Sequence, residues 1–191
     1  EIKKHIDLNS GNDRGRIYRI VPESGAKRIG QKVDLAAAST EELVKMLGHE
    51  NGWHRDAAQR LLHERKDKSA VPFLEQVLTG DSALAKLHAL NALESLGALR
   101  VPLIMPLIGD ADGKVRERGI ALLEKTLPSG GLSAASYRDL ESRLEDPDAC
   151  VRFQALMTLG GLPPGVESSS SRHQQMAKML ASYPGNRWIE A

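Results

Sequence analysis

The stretch Asp146-Pro147-Asp148-Ala149-Cys150-Val151-Arg152-Phe153-Gln154-Ala155-Leu156-Met157-Thr158-Leu159 decides the fold of this chain. It opens with turn residues, passes through Val-Arg, and sets Ala155 four and Leu159 eight positions after Val151. Offsets of four and eight share one face of an α-helix, and Asp148 is a favoured N-cap type. The stretch therefore predicts a capped, amphipathic helix. The same grammar runs from Asp112 through Val115, Arg116 and Gly119 to Leu123. Weaker copies stand at 82–93, at 51–62 and at Asn186-Arg187-Trp188-Ile189-Glu190.

Aligned on the position of Val151, the copies carry His54, Ala85, Val115, Val151 and Ile189, spaced 31, 30, 36 and 38 residues apart. That is the period of a helical repeat. Three residues earlier come Asn51, Ser82, Asp112, Asp148 and Asn186, all good N-cap types. Four residues later come Ala58, Ala89, Gly119 and Ala155, and eight later Leu62, Leu93, Leu123 and Leu159. Each helix is expected to have a capped start, a close-approach point and a buried Leu. One residue after the Val column stand Arg55, Lys86, Arg116, Arg152 and then Glu190. A cation so near a helix N-terminus opposes the dipole, so its recurrence implies an offsetting partner. The capping Asp four residues earlier is one candidate, as in Asp112 to Arg116 and Asp148 to Arg152. The cap of a neighbouring repeat is the other, and would give a ladder across the stack. An anionic ligand held by these cations is the functional alternative.

The segments between these helices read as their partners. Ser39 or Thr40 caps a first helix whose face is Leu43, Val44 and Leu47, followed by a helix over 53–64. Further pairs are expected at 71–79 with 82–96, 101–108 with 114–127, and 134–144 with 149–159. A fifth opener spans 172–181. Pro72 suits a first helical turn, whereas Pro106, one turn after Pro102, predicts a kink. The fold class is thus all-α: an α-solenoid of about four and a half helix pairs over 39–191. Residues 1–38 read as an extended arm and linker, with a β-rich run at 16–21 ended by Pro22. That run is either an isolated arm packed on the helices or the last strand of an upstream β-domain.

A 41% hydrophobic, 27% charged composition fits a globular protein, and 4% aromatics favours helix packing over a β-sandwich. The net charge of +1 gives no bulk electrostatic case for nucleic acid. A single cysteine excludes an internal disulfide, and no apolar run reaches the roughly 18 residues of a membrane span. The chain starts without Met, at Glu1-Ile2-Lys3, and reads as a piece of something longer.

The Asp-x-x-Val-Arg openings followed by Ala and Leu resemble HEAT repeats over about 39–191, strongest in the third and fourth units. Lys86 and Glu190 depart from the pattern. A narrower likeness adds Gly15-Arg16-Ile17-Tyr18-Arg19-Ile20, which resembles the closing strand of a sorbosone-dehydrogenase-like β-propeller. It is followed by Ser39-Thr40-Glu41-Glu42-Leu43, Asn51-Gly52-Trp53-His54-Arg55-Asp56 and Asp67-Lys68-Ser69-Ala70-Val71-Pro72. This order is similar to bacterial membrane-bound dehydrogenases of the PVC type, in which a propeller leads into HEAT repeats and then a haem-attachment domain. The resemblance implies an exported, periplasmic or surface-associated parent with oxidoreductase activity. It assigns no catalytic, cofactor-binding or metal-binding residue here, since no Cys-x-x-Cys-His is present.

The remaining candidates favour structural roles. His5, His49, His54, His63, His88 and His173 form no metal-ligand spacing. Cys150 reads as a packing or cap-edge residue, and Arg60, Arg65, Lys66 and Lys68 as a solvated helix end. Trp53 and Trp188 precede the Val column in the first and last units and are expected as buried wedges between helices. Exposed, they and Arg55 would be partner-binding anchors. The expected function is a non-catalytic module that binds a protein or spaces domains, with no cofactor, nucleic acid or membrane contact of its own. The alternative is a HEAT-like nucleic-acid-binding or DNA glycosylase-type enzyme, which balanced charge and sparse aromatics disfavour.

Overall fold

The computed structural model describes residues 34–126 and 132–162, together with Gln174, Ala177, Lys178 and Ala181. Among these residues the protein is all-α, without a strand. The helices are α1 (Thr40–Met46), α2 (Gly52–Arg65), α3 (Ala70–Leu78), α4 (Ala83–Ser95), α5 (Val101–Ile104), α6 (Gly113–Thr126), α7 (Ala134–Ser142) and α8 (Ala149–Gly161). All lie in one compact unit that begins at Leu35. The β-rich run at 16–21, Trp188 and Ile189 lie outside the described residues. Of the fifth opener, Gln174, Ala177, Lys178 and Ala181 are described; they are helical and exposed.

Local chemistry starts the helices where the sequence places them. Ser39 and Glu42 form a reciprocal capping box on α1, so Ser39 rather than Thr40 is the cap. Asn51 accepts from the Trp53 N–H at 3.0 Å, and Ser82 from the Ala85 N–H at 3.2 Å. Asp112 accepts from Lys114 and Val115, and Asp148 from Cys150. Each side chain satisfies donors that the first turn leaves unpaired.

Pro106 acts more sharply than a kink. Without an N–H, and with its ring against the carbonyl one turn earlier, it ends α5 at Ile104, and Met105–Gly109 continues as a 3-10 helix. Arg143–Glu145 closes α7 in the same tight form. The segment read as linker also has structure at its end. Leu35 is buried in the core, and Arg65 donates to the Ala36 and Ala38 carbonyls at 2.8 and 2.7 Å. Arg65 tethers this turn while remaining, with Arg60, Lys66 and Lys68, exposed at the end of α2.

Packing follows the repeat. α1 packs on α2, α3 on α4 and α7 on α8, while α6 receives both α5 and the 3-10 turn after it. The second helices meet in sequence order, α2 on α4, α4 on α6 and α6 on α8. Leu62, Leu93, Leu123 and Leu159 are all at most 1% exposed and belong to one apolar cluster with Ala58, Ala89 and Ala155. Burying each Leu contributes on the order of 1.5–3 kcal/mol. Gly119 is buried in the same column, but a Cβ there would meet Leu107 and Ile108 at 3.5–3.6 Å, an ordinary contact. The site therefore has room for the Ala that the other three units carry.

Candidate functional site

The cations after the Val column form an inter-repeat ladder whose rungs differ from the pairs expected. Arg116 does not turn back to Asp112, whose carboxylate is engaged in capping α6. Its Nε and Nη2 reach Asp146 of the next unit at 2.8 and 2.7 Å, a two-pronged pair of 10% and 1% exposed side chains. Its Nη1 donates to the carbonyls of Asp110 and Ala111 in its own turn. Lys86 pairs likewise with Asp110 at 2.5 Å. Arg152 repeats the own-turn clamp on the carbonyls of Asp146 and Pro147, and Arg55 repeats it on His49 and Glu50.

Asp110 and Asp146 thus carry the ladder. Each lies two residues before a cap, and each also accepts the N–H of that cap, from Asp112 or Asp148, at 2.9 Å. One carboxylate ties its own turn and receives the cation of the preceding unit. Burial alone pushes both carboxyls up. The hydrogen bonds from Lys86 or Arg116 and from the cap N–H, with the nearby positive charge, outweigh that and hold both below the ordinary carboxylate value. The offsetting charge also answers why a cation is tolerated in the first turn of these helices. The recurring signal was present as Asp110-Ala111-Asp112 and Asp146-Pro147-Asp148. It could be found only by extending the repeat grammar two residues before the cap.

A second polar row runs beside the first. Glu94 on α4 accepts from Arg118 and Lys125 of α6, and Glu124 of α6 accepts from Thr158 of α8. Asn91 joins the row by accepting from Arg118.

The α2–α4 joint departs from this scheme. The place of Asp110 and Asp146 is taken by Gly80, which has no side chain to receive Arg55. Arg55 instead donates from Nε to His88 Nε2 at 3.3 Å, and His88 Nδ1 lies 2.6 Å from Gln59 Oε1. Since Arg55 can only donate, Nε2 accepts and Nδ1 carries the proton toward Gln59. Burial first, and the charge of Arg55 second, hold His88 below its ordinary value, against the smaller opposite pull of Asp56.

Trp53 is 63% exposed, not a buried wedge. It occupies the entry turn of α2, where its ring lies edge-on to His54 at 5.1 Å, while His54 packs edge-on to His49 at 4.4 Å. His54, at the Val-column position, is half-buried and leaves its Nδ1 buried without a hydrogen-bond partner. Cys150 is exposed beside the α8 cap, and its N–H is held by Asp148. Among the described residues no three His, Cys, Asp or Glu side chains converge as metal ligands would, and no helix is long and apolar enough to cross a membrane.

The fold and this ladder define a helical-repeat-like all-α protein in which the α4–α6 and α6–α8 joints are tied by charge. No protein-family model matches the sequence, and no curated protein matches it.

Proposed function

We propose that residues 39–191 are a HEAT-repeat α-solenoid acting as a non-catalytic module that binds a protein or spaces domains. The observation that carries this reading is the repeated joint. The cation–carboxylate rung recurs in register at α4–α6 and α6–α8, in helices that pack in chain order. Such joints resist sliding of one unit on the next, and stacked helix pairs offer extended surface for recognition. Exposed Trp53 is the anchor on that surface, because a large aromatic ring left in water gains most from a partner. On the family resemblance, the module separates the propeller and haem-attachment domain of an exported dehydrogenase; the coding sequence on either side tests that placement.

The direct test puts a photo-reactive phenylalanine analogue at position 53 of the full-length natural protein. Cross-links are expected to residues outside 39–191, in another domain or a partner, and Trp53→Ala should weaken that association while changing stability by about 0.5 kcal/mol or less. A protein that yields no cross-link beyond this segment overturns the interaction reading.

A further inference from the structure

We propose that the α2–α4 joint is a proton-sensitive hinge, in which protonation of His88 loosens the packing of α2 on α4. The geometry sets His88 apart from the other rungs. It presents Nε2 as an acceptor to Arg55 Nε–H and Nδ1–H to Gln59. A second ring proton, on Nε2, would face the Arg55 N–H, so a hydrogen bond becomes two opposed donors and two adjacent positive charges. At the α4–α6 and α6–α8 joints a carboxylate holds the same place, and it keeps its charge throughout the range in which histidine titrates.

The surroundings add no compensating anion of equal reach. Arg55 and Asp56, both on α2, are the charged groups that act on His88, and Arg55 acts more strongly. Of the charged groups on α3 and α6, which also pack on α4, Arg118 is engaged by Asn91 and Glu94, and Glu75 is paired with Arg100. His49 and His54 flank Arg55 on the α1–α2 side; His49 Nδ1 accepts the Asn51 N–H, so it faces a donor too. The direction of linkage follows from the depressed His88 value. The packed joint prefers neutral His88, so its stability is fully present above about pH 6.5 and is lost as pH falls through that value. Loosening this contact would let the entry turn of α2, with Trp53 on it, shift relative to α4.

Hydrogen exchange of the full chain between pH 7.5 and 5.0, corrected for intrinsic rates, tests this. The opening equilibrium of α2 amides should rise with acid by up to about tenfold per pH unit, the limit for one proton. Amides of α6 and α8 should hold steady. His88→Gln keeps an acceptor and a donor without a titrating group and should flatten the α2 response; His88→Asn serves the same purpose should Gln misfit. Nitrogen NMR of the wild-type imidazole should show the Nδ1–H tautomer at neutral pH. Flat α2 exchange in the wild type overturns the proposal, as does an acid response that survives both variants or an Nε2–H tautomer.

Discussion

The α6–α8 joint and the α2–α4 joint solve one problem with different chemistry. Both must offset a cation in the first turn of a helix. At α6–α8 a two-pronged Arg116–Asp146 pair sits almost wholly out of water. At α2–α4 Arg55 meets a neutral imidazole in a half-buried setting. The difference teaches that such a pair is less a source of net stability than a pin for register. Desolvating two charges consumes most of their attraction, yet a register slip that strands Asp146 alone would be severely penalised. The neutral joint carries no such penalty and is free to yield.

The largest effect is expected where the charge is buried. Arg116→Ala removes the two-pronged partner of Asp146, leaving it Arg143 at 3.6 Å and the Asp148 N–H, and should cost about 3 kcal/mol in urea denaturation. Joint replacement by apolar residues, Arg116→Met with Asp146→Leu, should recover only part of that loss: the buried pair is gone, but the Asp148 N–H and Arg143 lose their acceptor. Arg55→Ala should cost less, about 1–2 kcal/mol, since the groups it frees at His49, Glu50 and His88 are partly open to water. Equal losses from the two Arg variants would erase the distinction between the joints.

Gly113→Ala should sharpen the comparison from the backbone side. A Cβ at Gly113 falls 2.5 Å from Asp148 Oδ2, so the carboxylate must shift while its other oxygen caps α8. The expected cost is about 1 kcal/mol, that of a lost N-cap, measured by thermal unfolding. The smallest expected effect is of acid on the α4–α6 and α6–α8 joints between pH 7.5 and 5. Asp110 and Asp146 have depressed folded-state values, so their contribution is present above about pH 4 and is lost as pH falls below it. Their amide protection should decline only in that lower range. A fall near pH 6 at these joints would mean that the carboxylates are not what closes them.

Trp53 and Pro106 mark where local reading stopped. The indole lies next to the half-buried Val-column position yet is exposed, because one residue turns a helix by about 100° and carries Trp53 off the packed face. Pro106 was legible as a disruption, but whether a helix bends or tightens depends on what fills the space beside it. Here Leu107 and Ile108 are buried in the core, with the Leu107 side chain and the Ile108 backbone close to Gly119, on the tighter 3-10 path.

The amino-acid sequence by itself determined the all-α class, the cap residues and the buried Ala and Leu column. Each depends on neighbours within one or two helical turns, and three of the four second helices repeat the same polar-cap, small-residue, Leu grammar with Ala, the fourth with Gly119. Only the tertiary structure decided that Asp110 and Asp146 receive the cations, and that His88 replaces them at α2–α4. Those partners sit 24, 30 and 33 residues from Lys86, Arg116 and Arg55. Which side chain arrives there depends on how far each connecting loop carries the next helix, a geometry that no local pattern encodes.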